Sequence, residues 1–178
     1  MGWSRQQFSL MPIKETLAGI AQNAPPFLAF MIMIITDPLR HHHRHCDDLF
    51  ADAEAAANSN DWPCCAEAFG RFTTELESHF TAEEQILFPA FEDAMGMSGG
   101  PTQVMRMEHG QMRGLLEQMA EALQSRRSGQ FCSAGETLLI LMQQHNFKEE
   151  NILYPMCDQR LAESDGLAER LREKITIA

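Results

Sequence analysis

From Thr36 onward apolar residues recur at spacings of three and four, interrupted by short polar, glycine- or proline-containing stretches. A period near 3.6 belongs to amphipathic helices, each burying one stripe. Thr36-Asp37-Pro38 can supply a cap and a first-turn proline, and Asn58 to Asp61 breaks the chain before Trp62-Pro63 restarts it. Met97 to Pro101 and Ser125 to Gly129 give two further breaks. The pattern predicts helices over 37–58, 62–95, 102–125 and 130–157, a weaker fifth near 164–175, and no strands.

The stripes predict an interior. Helix one contributes Leu39, His43, Cys46, Phe50, Ala53 and Ala57, and helix two Phe69, Phe72, Leu76, His79, Glu83, Leu87 and Ala90. Helix three contributes Met105, His109, Met112, Leu116, Met119 and Leu123, and helix four Leu138, Leu141, His145, Glu149, Ile152 and Met156. Four such helices joined by short breaks predict an all-α fold, an antiparallel up-down four-helix bundle over 37–178. Residues 1–36 follow another pattern, with Pro12, Pro25 and Pro26 breaking any long helix, and are expected to form an N-terminal arm. Its apolar end would dock on the bundle; a natural start at Met31 or Met33 is the competing expectation.

Every stripe carries one histidine, and two carry a glutamate. The segment His79 to Pro89 (HFTAEEQILFP) returns 66 residues later as His145 to Pro155 (HNFKEENILYP), with six of eleven positions identical. A His and a Glu four apart project from one helix face, so each copy offers an imidazole and a carboxylate to a common point. An ionised carboxylate in an apolar core carries a desolvation cost of several kcal/mol, and no stripe holds a lysine or arginine to offset it. A bound metal is the simpler solution, since structural metal sites return on the order of 10 kcal/mol. Histidine and carboxylate without thiolate suit iron, manganese or zinc, and two ions bridged by Glu83 and Glu149 would use six ligands.

Helix one presents His41, His42, His43 and His45. The stripe turns His43 inward and leaves His42 at its edge as the alternative ligand; His41 and His45 point to the polar side, solvated or holding an adventitious metal. Glu84 and Glu150 lie about 100° round the helix from the stripe and read as solvated, with support of the ligands from outside as the alternative. Phe88 and Tyr154 read as packing residues, with contact to a bound ligand as the alternative for Tyr154, the only tyrosine.

The 14 basic residues against 25 acidic ones give a net charge of −11, without a basic stripe, which argues against nucleic acid and anionic membrane surfaces. Five cysteines in no C-x-x-C pair indicate neither a disulfide framework nor a thiolate zinc site. The apolar run from Phe27 to Ile35 is too short to span a bilayer and is followed by no cleavage site, so a cytoplasmic location is expected.

A histidine on the first helix, H-x-x-x-E-E on the second, Glu108-His109 on the third and H-x-x-x-E on the fourth resemble the hemerythrin-like, or HHE cation-binding, family over about residues 37 to 157. The resemblance implies a four-helix bundle around a non-haem di-iron centre, with His43 and His79 on one iron, His109 and His145 on the other, and Glu83 and Glu149 bridging. Oxygen-carrying hemerythrins have a further histidine one turn from the third-helix ligand, where this chain has Met105 and Arg113 on either side of His109. The ligand count is closer to that of the iron-sulfur-cluster repair proteins of the family, although residues 1–36 lack the cysteine that their N-terminal domains carry. Ferritin-like bundles fit less well, needing more carboxylates and the reversed Glu-x-x-His spacing.

Three functions follow from this reading. The open iron positions could bind oxygen or nitric oxide for sensing, storage or scavenging. The protein could instead repair damaged iron centres, deliver iron or consume peroxide or nitric oxide under stress, which leaves open whether it is an enzyme. A third function is an interaction bundle with a stabilising metal. Methionines such as Met105, Met112 and Met119 suit adaptable packing in all three, and a homodimer is compatible with the sequence.

Overall fold

The computed structural model of the protein describes residues 34–175. Among them are α1 (Asp37–Asn58), α2 (Trp62–Ala82), α3 (Phe88–Met95), α4 (Pro101–Gln124), α5 (Ser128–Lys148), α6 (Tyr154–Arg160) and α7 (Leu167–Ile175), with no strand. The five-residue π-turns Glu83–Leu87 and Glu149–Leu153 join α2 to α3 and α5 to α6 without a break. Four long helical rods result, and their short connections make successive rods antiparallel. α1 packs chiefly on α2 and α4 on α5, with α1 also against α5 and α2 against α4. The predicted arm falls largely outside the described residues; of its last residues, Ile34 is exposed, whereas Ile35 and Thr36 are buried.

Local chemistry explains the helix ends. The Asp61 carboxylate accepts the Cys64 N–H at 3.2 Å, capping α2. Thr36 makes no such cap. Its N–H and hydroxyl instead donate to Asp158 at 3.0 and 2.9 Å, fastening the start of α1 to the end of α6. The fifth helix, α7, is present and packs on α1 and α2 through Leu167, Ala168, Leu171 and Ile175.

The stripes on α1, α2 and α4 face inward largely as expected, with Leu116 and Leu123 only half-buried. Two expectations near the ends of the repeats are corrected. Ile152 and Met156 are 54% and 36% exposed, and Leu153, Tyr154 and Cys157 fill the interior in their place. Ala90 is likewise half-exposed while Phe91 is buried. The π-turns are the cause: each takes in one residue more than an α-turn and advances the stripe by one position.

The core divides into two apolar clusters. Phe50, Phe69, Phe72, Phe131, Met119 and Leu138 belong to one, and Leu39, Leu87, Phe91, Leu153, Leu161 and Leu171 to the other. On every rod the inward histidine falls between them: His43 between Leu39 and Cys46, His79 between Leu76 and Leu87, His109 between Met105 and Met112, His145 between Met142 and Leu153. The polar residues thus form one internal layer.

Glu92, near the end of α3, accepts hydrogen bonds from Thr102 and Arg106 of α4. The Arg106 guanidinium, with Thr102, holds the Glu92 carboxyl below its ordinary range. A depressed folded-state pKa stabilises the fold above the unfolded value and ceases to do so as pH falls through the folded one. Glu92→Gln is therefore expected to lower stability at neutral pH by about 1 kcal/mol. Denaturant titrations of both proteins should converge once the pH lies below the folded pKa of Glu92.

Candidate metal centre

His43 comes from α1, His79 from α2, Glu83 from the π-turn after it, His109 from α4, His145 from α5 and Glu149 from the second π-turn. The structure brings all six together, none more than 5% exposed. Their donor atoms fall into two groups able to hold an ion: Glu83, His109, His145 and Glu149 in one, His43, His79 and Glu149 in the other. Glu149 belongs to both.

The spacing within each group is that of atoms sharing an ion. Two donors about 2.1 Å from one metal and at right angles stand about 3 Å apart. His43 Nε2 and His79 Nε2 are 3.0 Å apart, and His109 Nε2 and His145 Nε2 are 3.1 Å apart. Glu149 Oε2 lies 3.2 Å from His43 Nε2, while its Oε1 lies 3.1 Å from His145 Nε2. Glu83 Oε2 is 3.2 Å from His109 Nε2 and 3.5 Å from His79 Nε2. Despite these distances, Glu83 Oε2 and Glu149 Oε1 are buried without a hydrogen-bond partner. The oxygens and nitrogens aim at common points rather than at one another, and such orphaned acceptors are costly unless a cation satisfies them.

The far nitrogen of each imidazole is also held. Carboxylates of Glu150, Glu84 and Glu108 accept from the Nδ1 of His43, His109 and His145 at 2.8, 2.8 and 3.0 Å. His79 differs: its Nδ1 meets His42 Nδ1 at 3.3 Å, and His42 Nε2 reaches Glu75 at 3.2 Å. Since a carboxylate only accepts, His42 donates from Nε2 and its Nδ1 accepts from His79. All four inner Nε2 atoms are thereby turned to the centre, the arrangement in which an outer partner fixes the tautomer of a metal-binding histidine. His42 stands one layer out, as the partner of His79.

Electrostatics matches this layering. Burial lowers His43 and His109, but the carboxylates beside them, Glu149 and Glu150 at His43 and Glu83 and Glu84 at His109, outweigh it and raise each to about 9. The centre therefore favours positive charge at these nitrogens. Glu83 is raised by burial and by neighbouring Glu149; Glu149, buried too, is held far below its ordinary range by His145 and His43. Burial against His109 and Arg113 leaves Glu84 at about 2, dominated by those two cations. Burial keeps His42 low, with Glu75 opposing it.

For several of these residues the structure differs from the first choice made from the sequence. Glu84 and Glu150, read first as solvated, take the alternative place as partners of His109 and His43 across helix boundaries. Glu84 is further clamped by Arg113 at 2.9 Å, and Lys148 binds Glu108. Glu75 escaped notice, although it lies one turn before His79 on the same face. Tyr154, read first as packing and otherwise as a ligand contact, is fully buried and donates to Glu83 Oε1 at 2.6 Å, with Glu149 Oε2 at 3.1 Å. Its place follows from the second π-turn, which no sequence period foretells.

Comparisons with known proteins agree with this geometry. A model of the hemerythrin HHE cation-binding domain matches residues 34–157. An uncharacterized hemerythrin-like protein of Schizosaccharomyces pombe is 27% identical over 143 residues, covering 79% of this chain and 67% of that one. A DNA nickase of Nostoc is 30% identical over 122 residues, covering 68% and 33%. The iron-sulfur cluster repair protein YtfE of Escherichia coli is 30% identical over 130 residues, covering 64% and 58%. The chain thus spans less than two thirds of the nickase and of the repair protein. No solved structure matches.

Proposed function

Because the chain belongs to the hemerythrin HHE cation-binding domain family, we propose that its buried layer holds two iron ions and binds a small diatomic ligand, oxygen or nitric oxide. In this reading His43 and His79 serve one ion, His109 and His145 the other, and Glu83 and Glu149 are shared. The observation that carries it is Glu149, whose two oxygens face the two histidine pairs separately, at 3.2 and 3.1 Å. Manganese or zinc would suit the same donors, and iron is preferred for the ligand chemistry.

Bound iron would supply Lewis acidity, one-electron redox change and, with six ligands shared by two ions, open positions for a ligand. The chain supplies the rest. Burial of all six donors at 5% exposure or less restricts access to ligands of a few atoms. His109 lies stacked 4.0 Å from Phe80 and 6.0 Å from Phe88, which keeps that side apolar and dry. Tyr154 adds a hydroxyl beside both shared carboxylates, positioned to hold a hydrogen bond near the ions.

Repair or delivery of iron, the function in the name of the YtfE relative, is a second reading. It is favoured by α4, where Met105 and Arg113 flank His109 and no further histidine adds to the ligands. Full burial of the donors argues for small ligands over direct contact with another protein's cluster. The test is the ultraviolet–visible spectrum of the anaerobic di-ferrous protein as oxygen or nitric oxide is admitted. A new ligand-to-metal band is expected with at least one gas. Unchanged spectra, together with reactivation of an iron-damaged hydratase, would move the assignment to repair.

A further inference from the structure

His41, His42 and His45 stand on the first turns of α1 beside a cleft of about 430 Å³ that Asp37, Arg172 and Ile175 also line. From this cleft a row of imidazoles runs inward with falling exposure: His41 is exposed, His45 half-buried, His42 6% and His79 1% exposed. Ring centroids are 5.8 Å apart from His45 to His42, 5.3 Å from His42 to His79 and 4.6 Å from His79 to His43. The other three inner histidines are backed by carboxylates, whereas His79 is backed by an imidazole that reaches a surface cleft.

Resting on the reading of the buried layer as a metal centre, we propose that this row is the entry route of the divalent cation. His41 and His45 capture the ion at the cleft, and His42 passes it to His79 and His43. Residues four apart on a helix share a face, so His41 and His45 present two nitrogens to one ion. His41 Nδ1 is bonded to the Asp37 carbonyl oxygen at 2.8 Å, which directs its Nε2 away from the helix. Further in, the Glu75 carboxylate at 3.2 Å and the Cys46 sulfur at 3.7 Å from His42 offer negative charge and a soft donor midway. Arg172, the cationic side chain on the cleft wall, is engaged by Glu169.

The test is the rate at which full-length protein, stripped of metal by chelation, takes up Co2+, followed through its visible d–d bands. The double variant His41→Gln/His45→Gln alters two side chains outside the buried layer. Its loading is expected to slow about tenfold, the low end of what local focusing of an ion adds to on-rates. The final metal content per chain should match wild type. His42→Ala should slow loading and also weaken retention, because it removes the partner of His79, so the double variant carries the test. Equal loading rates in the double variant and wild type would overturn the route alone. Failure of the wild-type chain to take up any Co2+ would overturn the centre and the route together.

Discussion

Glu149→Ala is expected to empty both halves of the centre, whereas the loss of any one histidine weakens only one. Glu149 is the residue common to both donor groups, with Oε2 beside His43 and Oε1 beside His145. Removing it takes a donor from each ion and the negative charge that balances them. Loss of an outer hydrogen-bond partner of a metal ligand costs about 10- to 100-fold in affinity, and the loss of a shared ligand should exceed about 100-fold. Equilibrium dialysis against a competing chelator measures this directly. A second readout follows from linkage: metal bound only by the folded state stabilises it, so wild type should melt at a higher temperature with metal than with chelator. In Glu149→Ala that difference should vanish. A variant that retained wild-type metal affinity would show that Glu149 is not shared between two ions.

Leu153→Ala and Ile152→Ala should differ sharply, although they alter adjacent residues. Leu153 is 1% exposed within the cluster that includes Leu39, Leu87 and Tyr154; Ile152 is 54% exposed. Truncating a buried leucine typically costs about 2–5 kcal/mol through lost transfer energy and the cavity left behind. An exposed isoleucine truncated to alanine usually changes stability by less than about 0.5 kcal/mol. Urea titrations of the two variants should separate them by at least about 2 kcal/mol. An uninterrupted α-helix would reverse or level the order, so the pair also reports on the π-turn.

The bundle was legible because its information is periodic. Spacings of three and four, proline at helix starts and the breaks expected at 58–61, 97–101 and 125–129 are local properties, and the helices observed break at those places to within two residues. The same period placed Ile152 and Met156 inside. It failed there because a π-turn adds one residue at Glu149–Leu153, and nothing local in EENIL separates it from an α-turn.

The gathering of the six candidate donors was likewise legible, because each is a polar side chain on an apolar stripe and four stripes carry them at one level. Their partners were not. Glu84 reaches His109 and Glu150 reaches His43 from different helices, 25 and 107 residues away in sequence. Such pairs are fixed by how the rods are set against one another, which a single helix pattern does not contain. His42 shows the limit most closely: its position at the edge of the stripe was readable, but its role depends on His79 and Glu75 of α2. No helix among the described residues is long and apolar enough to cross a membrane.

Whether the buried layer holds two iron ions is read from iron per chain in anaerobically purified protein, wild type beside Glu149→Ala. Two irons in wild type and next to none in the variant are predicted. A wild-type protein with one iron or none, or a variant carrying as much iron as wild type, would contradict it.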